Sequence, residues 1–113
     1  MNLSTEAMGN LLVIHVIDNR IDASVAIQFK DRMRELTDPP FGRIILDLSN
    51  VLFLDSSGLG AVVAVMKHLN PSRHLELAGL TPTVEKVFRL TRMNSVFTIH
   101  PDLAQATSQP QAV

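Results

Sequence analysis

Residues 11–17, Leu-Leu-Val-Ile-His-Val-Ile, constrain the fold more than any other stretch. A continuous β-branched apolar run has no polar face to show to water, so it predicts a strand buried on both sides. Such strands need helices to cover them, and the rest of the chain supplies helical patterns in alternation. Gly9-Asn10 is a two-residue turn signal, so Leu3–Met8 is expected to pair antiparallel with this strand. Asp18-Asn19-Arg20 reads as a turn, with Asn19 suited to a positive φ. Asp22 reads as the N-cap of a helix with Val25, Phe29, Met33 and Leu36 on one face, ended by Asp38-Pro39-Pro40.

The alternation continues to the C-terminus. Arg43–Leu48 is a second strand, and Val51–Leu54 an apolar connection expected to stay buried. A helix follows from Gly58 to Leu69, closed by Asn70-Pro71. Leu75–Ala78 is a strand, Thr81-Pro82 opens a helix with Val84, Val87, Phe88 and Thr91 on its stripe, and Val96–Ile99 is a last strand. Pro101–Ala106 suggests a short helix. Strand–helix alternation at this spacing implies right-handed crossovers and one α/β domain, its sheet mixed and mostly parallel, with helices packed on it. Residues 1–106 are expected to form that domain and 107–113 a flexible tail.

Composition removes several function classes. The 113 residues carry 11 acids against 10 bases, a net charge of −1, without the basic excess of a nucleic-acid binder. There is no cysteine, which excludes disulfides, a cysteine nucleophile and a Cys–zinc site. Tyr and Trp are absent, so base-stacking platforms are not expected. No basic segment followed by an apolar stretch opens the chain, and the longest apolar run, Leu59–Met66, is far short of a membrane span. A soluble cytoplasmic protein without membrane insertion is the expectation.

Chemistry concentrates in Leu52-Phe53-Leu54-Asp55-Ser56-Ser57-Gly58-Leu59-Gly60, between a buried strand and a helix start. One of Asp55, Ser56 or Ser57 is expected to cap that helix. Leu59, Val62, Val63 and Met66 have the spacing of a core stripe. Ser57, Gly60, Ala61 and Ala64 form a second stripe, leading to Lys67 and His68. An ordinary exposed face would carry Glu, Lys or Gln. The small face therefore either packs inside the domain or receives a partner, with Ser57 at its edge. His15, His68, His74 and His100 are scattered without metal-ligand spacing and read as strand or surface residues. Asp55, Ser57 and His68 lack a nucleophile-elbow motif, so no enzyme, metal or cofactor is expected. Glu85, Lys86, Arg89 and Arg92 read as a solvated helix face.

The chain resembles bacterial anti-sigma factor antagonists of the STAS domain family. The matching residues are Ile21-Asp22, Ile45-Leu46-Asp47-Leu48-Ser49-Asn50-Val51, Leu54-Asp55-Ser56-Ser57-Gly58-Leu59-Gly60, and Leu77-Ala78 with Thr81-Pro82-Thr83-Val84 to Phe88. They span roughly residues 8–106, nearly the whole chain, as a single-domain length requires. Asn19 stands where the family often has glycine. The resemblance implies that Ser57, the second motif serine, accepts phosphate, supported by Asp55, Ser56 and Gly58. It adds Asp22 to Gly60, Ala61, Ala64 and Lys67 as the expected partner-binding set. The implied partners are an anti-sigma factor serine kinase of the histidine-kinase-like ATPase fold and a PP2C-type phosphatase. Unphosphorylated, such a protein binds the kinase; phosphorylation releases it. The alternative is a STAS accessory subunit of a membrane transport system.

Overall fold

The hairpin at the N-terminus forms as its turn signal dictates. The computed structural model describes residues 1–108. Strand β1 (Leu3–Met8) pairs antiparallel with β2 (Leu11–Val16), and Gly9 makes the turn at φ +59°. That left-handed backbone suits a residue without Cβ. Strand β3 (Arg20–Ile21) leads to helix α1 (Ala26–Leu36). Then come β4 (Arg43–Asp47), β5 (Phe53–Leu54), α2 (Ser56–Leu69), β6 (His74–Ala78), α3 (Pro82–Leu90), β7 (Thr98–His100) and α4 (Leu103–Ser108). The main sheet has the order β1-β2-β4-β6-β7, parallel apart from the first pair. β3 and β5 form a separate parallel pair. The mixed, mostly parallel α/β domain is therefore present.

Side-chain alternation divides the core. Leu12, Ile14, Ile44, Leu46, Leu75 and Leu77 point to one side of the sheet, where Phe29, Met33, Val62, Val84 and Phe88 of the helices meet them. Val13, Ile45 and Ala78 point to the other side and are met by Ala106 of α4. All five residues of β4 are buried, as a central parallel strand covered on both faces must be.

Several local expectations are corrected. Asp22 does not cap α1: the helix begins after Val25, because the Asp22 side chain is engaged by Ser24 and Arg20 in a preceding turn. Asn19 is not left-handed; its carbonyl accepts the N–H groups of Leu52 (2.7 Å) and Phe53 (3.3 Å), holding it beside the next segment. Leu52 and Phe53 are exposed, while Val51 and Leu54 are buried. The buried stripe of α2 is Gly58, Ala61, Val62, Val65 and Leu69, turned one residue from the expected set. Leu59, Val63 and Met66 pack half-buried at its side. The last strand begins at Thr98, after a 3₁₀ turn at Met93–Ser95, leaving Val96 outside it. Thr81 is the N-cap of α3 with Pro82 at its first position, as expected, but its hydroxyl makes no capping bond and donates to the Val51 carbonyl at 2.7 Å. Thr107 and Ser108, expected in the tail, belong to α4; residues 109–113 lie outside the described residues.

Candidate functional site

The short β3–β5 pair places the serine motif. β5 ends at Leu54, and the Asp55 N–H donates to the Ile21 carbonyl at 3.4 Å. Asp55 is the N-cap of α2, in extended backbone, and its Oδ1 accepts the Gly58 N–H at 2.8 Å. Its Oδ2 accepts the Ala23 N–H at 3.1 Å, tying the helix start to the turn after β3. One carboxylate thus satisfies donors in two segments. Gly58 sits where a Cβ would overlap the Ile21 carbonyl oxygen. The first turn of α2 therefore rests directly on the backbone of β3, which only glycine permits.

Ser56 and Ser57 occupy the two positions after the cap, and both are exposed. Their hydroxyls and N–H groups have no hydrogen-bond acceptor among the described residues. These are the free donors left at any helix start, on the positive end of the helix dipole.

Asp22 stands across from this start. Its Oδ1 accepts from the Ser24 hydroxyl (2.5 Å) and N–H (3.0 Å), and its Oδ2 from Arg20 Nε (2.9 Å). The Ser24 hydroxyl, with Arg20 behind it, outweighs the slight desolvation and holds the Asp22 carboxyl below its ordinary pKa. The Arg20 guanidinium also lies 4.7 Å from the Phe53 ring centroid. Leu52 is 60% exposed and Phe53 41%, so an apolar patch flanks the acidic turn. Arg20 carries no signal of its own in the sequence. Leu52 and Phe53 belong to the motif segment but read there as buried, whereas beside the two-residue β3–β5 pair they are exposed.

The remaining site residues divide. Gly60 and Lys67 are exposed on α2, and Ala64 is half-buried beside α1. Ala61 is 3% exposed and belongs to the core, because it lies on the side of α2 that approaches the sheet. His68 is eleven residues beyond Ser57, about 16 Å along a helix, so Asp55, Ser57 and His68 form no triad. His15 and His100 do have acidic companions, brought by cross-strand register. His15 bridges Asp47 (2.7 Å) and Glu6 (2.9 Å). His100 meets Glu76 at 2.6 Å, and Glu76 also holds Arg43. Among the described residues no group of three acidic or histidine side chains is placed to hold a metal ion. No helix among them is long and apolar enough to cross a membrane.

The site is thus a helix start with two exposed serines, its cap tied to both α2 and the turn after β3. The STAS domain family model matches residues 2–106, and the chain belongs to that family. It is 30% identical over 94 residues to a STAS-domain containing protein of Pseudomonas aeruginosa, covering 82% of this chain and 91% of that one. It is 26% identical over 100 residues to BtrV of Bordetella bronchiseptica, named as an anti-sigma factor antagonist, covering 88% and 85%. The fold matches the crystal structure of an anti-sigma factor antagonist from Mycobacterium paratuberculosis with a TM-score of 0.85, at 22% identity, covering 95% and 91%.

Proposed function

We propose that this protein is an anti-sigma factor antagonist working by partner switching, with Ser57 as the phosphoacceptor. The observation that carries the reading is the placement of Ser57: exposed, in the first turn of α2, beside a cap already satisfied by Asp55. Unphosphorylated, the chain binds a serine kinase of the histidine-kinase-like ATPase fold and so frees the kinase's client. The Ser57 hydroxyl attacks the γ-phosphorus of kinase-bound ATP. A new O–P bond forms at serine, ADP leaves, and the serine proton passes to a base on the kinase. The phosphoserine carries about −1.5 to −2 charges. The helix start accommodates that charge, whereas a docked partner has to desolvate it and faces Asp55 and Asp22 as well. A PP2C-type phosphatase returns the hydroxyl by hydrolysis. Partner contacts are assigned to Asp22, Gly60, Ala64 and Lys67, with Ala61 supporting them from beneath. The name of the Bordetella relative supports this class of role, while the fold itself is shared with transporter domains.

The test compares wild type with Ser57→Asp in pull-downs from the source cell, followed by mass spectrometry of the captured proteins. Wild type is expected to capture a kinase of this class. Ser57→Asp is expected to bind it at least about tenfold more weakly, about 1.4 kcal/mol, with stability changed by less than about 1 kcal/mol. Phosphopeptide mapping with the kinase and ATP is expected to find the modification on Ser57. Modification confined to Ser56, or melting that collapses in step with binding, refutes the mechanism.

A further inference from the structure

A notch of about 30 Å³ lies between the C-terminal halves of helices α1 and α2. Thr37, Ala64 and Val65 form its floor, and the exposed Lys30, Arg34 and His68 form its rim. Lys30 and Arg34 are four residues apart and share one face of α1. Arg73 stands behind the same corner, donating to the carbonyls of Thr37 and Pro39. No carboxylate lines the notch. Elsewhere on the surface arginines do find acids, as in Arg32 with Glu35 and Arg89 with Glu85. Among the described residues Lys30, Arg34 and His68 enter no ion pair.

A concave site with a cationic rim and no acidic side chain in its lining is complementary to a carboxylate. Its volume admits one or two groups the size of water, so it takes the tip of a side chain and excludes a nucleotide. Ala64 is central: a longer side chain there fills the space. Gly60, with open space where a Cβ would stand, lies on α2 between the notch and Ser57. Seven residues separate Ser57 from Ala64, about 10 Å of helix. Asp22 and Asp55 stand at the serine end, whereas the residues that rim the notch are Lys30, Arg34 and His68.

We infer that the α1–α2 notch receives an aspartate or glutamate side chain of the protein that docks over Ser57, presented about 10 Å from the Ser57 contact. The identity of that protein rests on the partner-switching reading; the preference for a carboxylate rests on the notch alone. Such a contact fixes the orientation of the partner and speeds its approach electrostatically.

Two measurements on the full chain test this separately. In the first, poly-L-glutamate is titrated into ¹⁵N-labelled wild type and Lys30→Glu/Arg34→Glu at low ionic strength. The amides of Thr37, Ala64 and Val65 are expected to shift in wild type and to stay still in the variant. No shift at these amides overturns the inference. Shifts produced only by phosphatidylglycerol vesicles, and not by poly-L-glutamate, also overturn it, in favour of a lipid headgroup. In the second, the kinase captured by wild type is measured against the charge-reversed variant, Lys30→Gln/Arg34→Gln and a Lys86→Glu control on α3. Charge reversal is expected to weaken binding at least about tenfold with unchanged melting, neutralisation less, and the control not at all. Equal affinity for wild type and charge-reversed protein overturns the assignment to that partner while leaving partner switching intact. If wild type captures no kinase, the partner-switching reading fails and the glutamate titration still decides the notch.

Discussion

Gly58→Ala tests whether the serine motif is held as described. The added methyl group would overlap the Ile21 carbonyl oxygen and stand 2.8 Å from both the Ile21 carbonyl carbon and Leu54 Cδ1. Leu54 Cδ1 can turn aside. The Ile21 carbonyl cannot, because β3 is paired to β5 and that oxygen accepts the Asp55 N–H. The first turn of α2 must therefore lift by over about 1 Å to regain ordinary van der Waals separation. Overpacking of this kind costs about 1–3 kcal/mol, and stretching the Asp55–Gly58 capping bond costs about 1 kcal/mol more. The better helix propensity of alanine returns up to about 1 kcal/mol. The net expectation is a loss of about 1–3 kcal/mol, or a melting temperature lower by very roughly 10 °C. Gly60→Ala is the matched control. Nothing lies within 4 Å of its added Cβ, so the propensity term acts alone and stabilises by about 0.5–1 kcal/mol. Urea unfolding of both variants with a shared m-value reads the two signs directly. If Gly58→Ala is as stable as Gly60→Ala, the backbone of β3 is not in contact with α2 and the account of the site is wrong.

Other expectations concern single side chains. Asp55→Ala removes the acceptor for both Gly58 and Ala23 and should cost about 1–2 kcal/mol, read by urea unfolding; Asp55→Asn, which keeps one acceptor oxygen, should recover part of it. Burial disfavours the His15 imidazolium, but hydrogen bonds to Asp47 and Glu6 outweigh it and raise the His15 pKa above 6.5. The protonated ring therefore contributes its full stabilisation below the unfolded value, and the contribution is lost as pH rises through the folded value. The urea midpoint of wild type should fall as pH rises above about 6.5, and His15→Gln should flatten that slope. An equal slope in both proteins would assign the pH dependence to other groups.

What the sequence reveals depends on how local the determinant is. The β1–β2 hairpin is legible because Gly9-Asn10 sits between two strand patterns, and β4 because an unbroken apolar run needs cover on both faces. The orientation of α2 is not. Apolar size favours Leu59, Val63 and Met66 as its core stripe. Close packing instead puts Gly58 and Ala61 nearest the sheet, since small residues let the helix approach. The serine motif and its place at a helix start are legible from residues 52–60 alone. Its second support, from Asp55 to the Ala23 N–H, joins residues 32 positions apart and leaves no local signal. The same holds for His15 and Asp47, which are neighbours only once β2 and β4 are in register. The notch between α1 and α2 likewise depends on how two helices pack together, which periodicity within either helix does not encode.

The hydrogen bonds joining residues 19–23 to residues 52–55 also bear on how such a domain can diversify. Asn19, Ile21 and Ala23 on one segment are bonded to Leu52, Phe53 and Asp55 on the other. The two segments thus behave as halves of a single part, though helix α1 and strand β4 separate them in the chain. A relative's serine loop grafted alone into this scaffold arrives without the complementary half. Recombination that exchanges a contiguous stretch is then selected against unless its breakpoints lie outside residues 19–58. Specificity among paralogues in one cell is expected to change by paired substitutions across the two segments, and a working chimera has to carry both.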